Sequence, residues 1–356
     1  MFVVRSGGTD LYRSAVLRSG QEPERLNVAL AGARSIELIV EDGGDGPACD
    51  HADWADLRLK LSDGTEKLVG DLPEGTADLS GPYPVSFTIG GRPCADSLMS
   101  WKHERTESTE SDGRRRVVHI WTHPDGNLTV RFEAVAYADF GAVDWLMWFE
   151  NNGSQNTPTV ESVLPLDLTV QAPMEGQSPY VLYRTAGGTP TPQQFEASTI
   201  DIGGGRVADL GAGAGRSSTK DFPFFKVDLK DGALIAAVGW SGNWKATVDA
   251  PDRKNLHLAA GMERTRFVLH PGEKVRTPRI LLLRHTGSTF DANVRFRRLI
   301  YRYYAARRSG KNALPILFSN TCFTRGGGWL NECNAENQIS LINAFAPLGL
   351  EAVITD

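Results

Sequence analysis

Acidic and aromatic side chains crowd one short stretch near the start of the chain, Asp50-His51-Ala52-Asp53-Trp54. A tryptophan face beside carboxylates suits a sugar, because the ring stacks on the sugar's C–H face and the acids accept hydrogen bonds from its hydroxyls. The stretch therefore predicts a carbohydrate site at Asp50, His51, Asp53 and Trp54. An acidic loop with Trp54 in the core is the alternative.

A glycine-rich loop just before this stretch adds two more carboxylates, Asp42 and Asp45. Carboxylates and loop carbonyls are the hard oxygen ligands that Ca²⁺ prefers. The loop indicates a structural Ca²⁺ site at Asp42 and Asp45, although EF-hand spacing is missing. No other cofactor is expected.

A third group of polar side chains lies near the end of the chain. Asp356 stands where a predicted strand ends, and Asn320 and Cys322 follow the preceding strand. In a (β/α)8 barrel, the carboxyl ends of the parallel strands hold the active site. Asp356, Asn320 and Cys322 are therefore candidate substrate-binding residues, the alternative for Asp356 being a frayed tail.

Other catalytic patterns give little support. Neither a Gly-x-Ser-x-Gly elbow nor an HExxH motif occurs in the sequence. Gly215-Arg-Ser-Ser218 is compatible with an anion-binding turn, and His119 and His123, near turns, are expected to be solvated. The four cysteines form no CxxC pair and are expected to be free thiols.

The elements that must position these residues are mainly strands. Residues 1–80 alternate at the strand period, with strands predicted over 2–4, 15–17, 26–30, 35–40 and 57–61. Residues 83–288 give many more short strands, including a hairpin of 116–122 with 128–135 around Pro124-Asp-Gly126. Strands without intervening helices predict a large β-sandwich.

The pattern changes after residue 288. A helix is predicted over 290–308, then a strand over 315–318, a helix over 335–348 and a strand over 350–355. Strand, helix and strand form one βαβ unit, whose parallel strands belong in a longer sheet or barrel. The chain also begins and ends in a strand, which predicts that it is a piece of a longer protein.

Composition excludes several classes of protein. The 356 residues are 41% hydrophobic, and 38 basic against 43 acidic residues give a net charge of −5. No basic block is present for nucleic acid, and no apolar run approaches the ~20 residues of a membrane helix. A secreted or periplasmic protein, whose signal would precede Met1, is compatible with this composition.

Residues 2–61 resemble the second half of the NPCBM module, a carbohydrate-binding β-sandwich. The resemblance rests on Leu38-Ile-Val-Glu-Asp42-Gly-Gly-Asp-Gly and on Asp50-His-Ala-Asp-Trp-Ala-Asp-Leu-Arg-Leu59. It implies that the module's first strands precede Met1 and that its sheet is incomplete here.

Residues 83–356 resemble the front of a family 36, clan D, α-galactosidase-like glycoside hydrolase. The resemblance rests on Gly215-Arg-Ser-Ser218, Phe222-Pro-Phe224, Trp240-Ser-Gly-Asn-Trp244, Pro315-Ile-Leu-Phe-Ser-Asn320 and Leu348-Gly-Leu-Glu-Ala-Val-Ile-Thr-Asp356. It implies a β-supersandwich followed by a (β/α)8 barrel, with Asp356 holding galactose hydroxyls. The family usually has a tryptophan where this chain has Cys322.

The resemblance divides the chain into 1–80, a carbohydrate-binding sandwich that lacks its N-terminal half, 83–288, the supersandwich, and 289–356, a linker helix and the start of a truncated barrel. It implies a retaining hydrolase that binds a galactose-containing glycan. Such enzymes need two carboxyls roughly 5–5.5 Å apart, and the family draws both from later strands, so no catalytic residue is assigned. A non-catalytic carbohydrate-binding β-sandwich protein is the alternative.

Overall fold

The computed structural model of the chain describes residues 1–6, 9–18, 21–30, 36–42, 44, 54, 57–60, 64, 66–68, 83–172, 180–189, 191–252, 254–320 and 334–354. The chain divides into two compact units, Met1–Leu72 and Pro73–Asp356. The regular structure is mainly β, as the sequence predicts.

The first unit contains a small antiparallel sheet. Its described strands are β1 (Phe2–Ser6), β2 (Thr9–Arg13), β3 (Glu37–Val40), β4 (Arg58–Lys60) and β5 (Glu66–Leu68). The order is β2-β1-β3, and β4 pairs separately with β5. Val3 and Val4 of the central strand are buried, at 0% and 5% exposure. The strands predicted at 2–4, 35–40 and 57–61 are therefore confirmed within a few residues.

The strands predicted over 15–17 and 26–30 are wrong. Both ranges have no regular structure, although Leu26, Val28 and Leu30 are partly buried and the residues between them are exposed. Alternation selects the side of the chain that faces the protein, but a strand also needs a hydrogen-bonding neighbour. No described strand pairs with 26–30.

The second unit contains most of the strands. In chain order its elements are β6 (Ser86–Ile89), β7 (Arg92–Pro93), α1 (Cys94–Leu98), β8 (Lys102–Thr109), β9 (Arg115–Thr122), β10 (Thr129–Tyr137), β11 (Ala142–Glu150), β12 (Val160–Leu164), β13 (Leu166–Gln171), β14 (Tyr180–Ala186), β15 (Ala197–Ile202), β16 (Ala208–Gly211), β17 (Asp221–Leu229), β18 (Gly232–Gly239), β19 (Trp244–Asp249), β20 (Asn255–Met262), β21 (Arg266–Phe267), β22 (Lys274–Arg276), β23 (Arg279–Thr286), α2 (Thr289–Leu299), β24 (Arg307–Arg308), β25 (Lys311–Asn312), β26 (Phe318–Asn320), α3 (Ala335–Phe345) and β27 (Ala352–Ile354).

Three sheets of this unit enclose the main core. The largest has the order β15-β14-β17-β18-β23-β11-β10-β9-β8, with β22 also on β11, and faces the sheets β21-β12-β6-β7 and β13-β20-β19-β16. The predicted hairpin is confirmed as β9–β10, where Thr122 pairs with Thr129. Alternate residues such as Trp121 and Phe132 point inward and are at most 4% exposed. The predicted sandwich therefore follows from period-two burial.

The opposite face of the large sheet supports α2. Ser288 caps this helix, since its hydroxyl accepts from the amide of Phe290. Ala292 and Leu299 are fully buried against the apolar outer side of β18 and β23. The helix predicted over 290–308 is too long. It passes into a π-helical turn, Ile300–Tyr304, and ends at Ala305, whose backbone is extended.

The end of the second unit is a βαβ arrangement. β26 and β27 pair in parallel, with Phe318 opposite Ala352, and α3 lies between them in sequence. The strand predicted over 315–318 is displaced, because only Phe318 of that range pairs with β27. Many apolar side chains here are exposed, for example Leu317 at 62% and Leu348 at 72%.

Candidate functional site

Asn320 is the one C-terminal candidate that lies within the described residues. Asn320 is the last residue of β26, is partly buried, and pairs in register with Ile354 of β27. Both strands therefore end at the same edge, as parallel pairing requires. Cys322 and Asp356 lie two residues beyond these ends, outside the described residues. The arrangement offers one amide side chain at the edge of a parallel sheet.

The N-terminal candidates are represented by two residues. Trp54 packs edge-on against Phe2, with ring centres 4.9 Å apart and planes at 85°. Its indole Nε1 is buried and has no hydrogen-bond partner among the described residues. Asp42 accepts a 2.9 Å hydrogen bond from the amide of Gly44, which shapes a turn. Asp45, Asp50, His51 and Asp53 lie outside the described residues.

Two sequence motifs of the large sandwich meet in space. The Trp244 indole donates a 2.6 Å hydrogen bond to the carbonyl of Ser217. The carbonyl of Ser218 accepts a 2.7 Å bond from the amide of Gly188. Gly215-Arg-Ser-Ser218 and Trp240-Ser-Gly-Asn-Trp244 therefore belong to one rim at the end of the sandwich.

The buried carboxylate of Asp221 stabilises the same rim. Asp221, fully buried, accepts a 2.7 Å bond from Arg184 and a 2.9 Å bond from the amide of Gly211. The partly exposed Trp240 extends the rim and is covered by the guanidinium of Arg276, 5.2 Å from its ring centre. Main-chain and ionic contacts thus fix the geometry of these loops.

The expectation that His119 is solvated is wrong. It is 1% exposed, because it occupies an inward position of β9. Its Nδ1 lies 2.9 Å from both His103 Nε2 and Tyr83 Oη. Burial, followed by the neighbouring His103 and Arg105, lowers the pKa of His119 to about 4. The ring is therefore neutral at pH 7.

A polar cleft that the sequence analysis missed lies beside Trp101. Two left-handed glycines, Gly90 and Gly91, turn β6 into β7 and present Arg92 to it. The cleft has a volume of about 390 Å³, and its lining includes Arg92, Asp96, Ser97, Ser100, Trp101 and His123. The adjacent glycines were the available signal, since φ > 0 at two positions favours a tight hairpin.

A second missed cavity lies where the β8–β9 turn meets the end of the π-helical turn. Its volume is about 320 Å³, and its lining is Asp112, Arg114, Arg302, Tyr303 and Arg307. Three of these five residues carry a guanidinium group. The run Arg114-Arg115-Arg116 marked this turn in the sequence, but nothing there indicated that Arg302 and Arg307 meet it.

Within the described ranges, no three or more His, Cys, Asp or Glu side chains are grouped so as to hold a metal ion. Among the helices described, none is both long and apolar enough to cross a membrane.

Residues 1–60 match the family model described as NPCBM/NEW2 domain. The comparison with curated proteins finds no match. The matched residues include the aspartate-rich stretch that resembles this module in the sequence.

The fold of the chain is that found in solved GH36 α-galactosidases. It is similar to the galactosidase domain of the α-galactosidase-sucrose kinase AgaSK, at 12% identity and a TM-score of 0.55, over 79% of this chain and 40% of that one. It is also similar to a variant of AgaA from Geobacillus stearothermophilus in complex with raffinose, at 16% identity and a TM-score of 0.54, over 83% and 44%. For the α-galactosidase from Lactobacillus brevis the identity is 12%, the TM-score 0.54 and the coverage 90% and 45%.

These similarities show the fold, and each extends over only part of the similar protein. The chain spans less than half of each of these α-galactosidases. At identities of 12–16%, the similarity shows the fold and gives no residue of this chain a role.

Proposed function

We propose that the chain consists of a carbohydrate-binding module followed by the front part of a retaining glycoside hydrolase resembling α-galactosidases. The combination of a module match at residues 1–60 with a GH36-type fold supports this proposal most directly. The raffinose bound to one of the similar structures is an α-galactoside. The ligand proposed for this chain is accordingly a galactose-containing glycan.

The proposal assigns substrate binding to Asn320, which ends β26, and to Cys322 and Asp356, which follow β26 and β27 in the sequence. Asp356 and Asn320 supply a carboxylate and an amide, which hydrogen-bond to sugar hydroxyls, and Cys322 supplies a small wall. No residue is assigned as nucleophile or general acid. The isolated 356-residue chain is therefore expected to bind galactosides without hydrolysing them.

The binding module is proposed to hold sugar through Asp50, His51, Asp53 and Trp54. The Trp54 contact with Phe2 fixes the ring, so a sugar would meet its remaining surface. Asp42 and Asp45 are retained as a proposed Ca²⁺ site of the same loop, and calorimetry with and without a chelator tests it.

Calorimetric titration with galactose, raffinose and stachyose tests the proposal. We expect saturable binding that weakens in Asp53→Asn and persists in the matched variant Asp56→Asn. Asp356→Asn then reports separately on the C-terminal edge. The absence of saturable heat with all three sugars, on folded protein, would refute carbohydrate binding by this chain.

The alternative is a carbohydrate-binding protein without a catalytic partner. The module match favours it equally, because binding requires no catalytic carboxyl. The parallel β26–β27 pair supports the hydrolase, since a pure binding module has no use for a βαβ unit. Hydrolysis of an aryl α-galactoside by a longer protein, in which further strands complete this sheet, would favour the hydrolase.

A further inference from the structure

We call α2 (Thr289–Leu299) and the π-helical turn that continues it (Ile300–Tyr304) the linker helix. The cavity between the β8–β9 turn and the linker helix has an excess of positive charge. Its lining contains the guanidinium groups of Arg114, Arg302 and Arg307 and a single carboxylate, that of Asp112. The chain as a whole is negative, at −5, so this local excess runs against its average charge. Its volume of about 320 Å³ leaves room for a small solute.

An aromatic ring holds two of the guanidinium groups in place. The ring centre of Tyr303 lies 4.9 Å from Cζ of Arg114 and 5.1 Å from Cζ of Arg302. Stacking on an aromatic face orients the planar fork of an arginine and reduces the entropy lost when it binds a ligand. Tyr303 is itself fixed, because its ring packs against Tyr137 with centres 4.8 Å apart.

The protein contacts of the arginines leave N–H groups available. Arg114 directs Nε at Asp112, at 2.9 Å from each carboxylate oxygen, and it also hydrogen-bonds to Tyr137. These two partners use only part of the five N–H donors of its guanidinium group. Arg307 is held by the carbonyls of Arg302 and Gly310, at 2.6 and 3.3 Å. Arg302 contacts Asp139 through Nη1 at 3.3 Å, an exposed pair worth little.

We propose that this cavity binds a tetrahedral oxyanion, phosphate or sulfate, either free or carried by a sugar. Guanidinium forks match such groups with two parallel hydrogen bonds, and three forks around one cavity offer more donors than a carboxylate can use. The bound group would join the β8–β9 turn to the end of the linker helix. The inference is independent of the proposed glycosidase function.

Calorimetry on the 356-residue chain at pH 7.5 tests the site, with sodium chloride keeping the ionic strength constant. Inorganic phosphate and sulfate should bind saturably and raise the melting temperature more than chloride does. Arg302→Gln should weaken binding by about tenfold, the equivalent of one charge-assisted hydrogen bond. The affinity of Arg302→Lys should fall between those of the wild type and Arg302→Gln, because lysine keeps the charge and loses the planar guanidinium group.

Arg298→Gln is the matched control, since it makes the same change on the same helix outside the cavity lining. Galactose 6-phosphate and galactose separate the two sources of the oxyanion. Tighter binding of galactose 6-phosphate than of inorganic phosphate indicates a sugar-borne group, and equal affinity indicates the free ion. The absence of saturable binding, or equal affinity in wild type and Arg302→Gln, overturns the proposal.

Discussion

Asp144 joins the large sheet to the linker helix through a single carboxylate. It is 1% exposed and accepts hydrogen bonds from Tyr137 at 2.8 Å, from Tyr304, and from Arg279 at 2.7 Å. Burial and then this carboxylate raise the pKa of Tyr137 to about 12, so the tyrosine keeps its proton at neutral pH. Three donors satisfy a charge that would otherwise be costly to bury.

Asp144→Ala should therefore lower the free energy of unfolding by about 3 kcal/mol, because it leaves two hydroxyls and a guanidinium without their acceptor. Asp144→Asn should cost less, since its amide oxygen still accepts. Urea denaturation at pH 7 measures both effects. Asp139→Asn, whose carboxylate is 69% exposed, serves as the control and should change stability by less than about 0.5 kcal/mol. Equal losses in both positions would contradict the assigned role.

His257 lies between two carboxylates on the sheet β13-β20-β19-β16. Its Nδ1 is 2.9 Å from Asp249 and its Nε2 is 2.9 Å from Asp167. Burial lowers the pKa of His257, but the hydrogen bonds that it donates to Asp167 and Asp249 raise it more, and the net direction is upward. Both nitrogens can donate at once only in the imidazolium form.

A pKa raised in the folded state means that folding takes up a proton. The stability from this contact is complete below the unfolded pKa of about 6.5 and is lost as the pH rises through the folded pKa. All three side chains are about one-third exposed, so the contribution should be about 0.5–1 kcal/mol. His257→Gln should lose this amount at pH 5.5 and almost nothing at pH 9. A loss that grows with pH would reverse the sign and refute the assignment.

At the scale of elements, two loops approach closely at Gly187. A β-carbon there would lie 2.3 Å from the backbone oxygens of both Ser218 and Thr219, whereas one at Gly215 would meet nothing within 4 Å. Neither glycine has a left-handed φ, so the two substitutions differ only in the space available. Gly187→Ala must separate the loops or distort the backbone.

We expect Gly187→Ala to destabilise the protein by about 1–3 kcal/mol, the usual cost of overpacking. It should also expose 212–220 to proteolysis. Gly215→Ala, the matched control in the same rim, should leave both properties unchanged within about 0.5 kcal/mol. Limited trypsin digestion at Arg216 and Lys220, combined with urea denaturation, separates local opening from global loss.

The elements also show how far sequence reasoning reaches. The β9–β10 hairpin is predictable because alternation and the Pro124-Asp-Gly126 turn agree. The end of the linker helix is not predictable, because it depends on the hydrogen bond from Tyr304 to Asp144, which lies on a strand 160 residues earlier in the chain. The arginine cavity is likewise invisible in sequence, since Arg114 and Arg302 meet only once the helix docks on the sheet.

The whole molecule combines a closed sandwich with an open βαβ unit. Phe132 and Trp145 of the sandwich are 1% exposed, whereas Leu317 and Phe318 beside the parallel pair are 62% and 52% exposed. Among the residues that the structure describes, this two-stranded parallel sheet lacks the covering that parallel sheets normally have. Its free energy of local opening should therefore be far below that of the sandwich.

Hydrogen exchange followed by mass spectrometry measures this difference, and the chain supplies its own matched pair. α2 and α3 each have eleven residues, but α2 buries Ala292 and Leu299 whereas no residue of α3 is buried. Amides of α3, β26 and β27 should exchange at least about a hundredfold faster than those of α2 and β10, because opening them exposes little additional apolar surface. Equal protection of the two helices would show that the exposed face is covered in solution, and a dilution series would then reveal whether a second copy covers it.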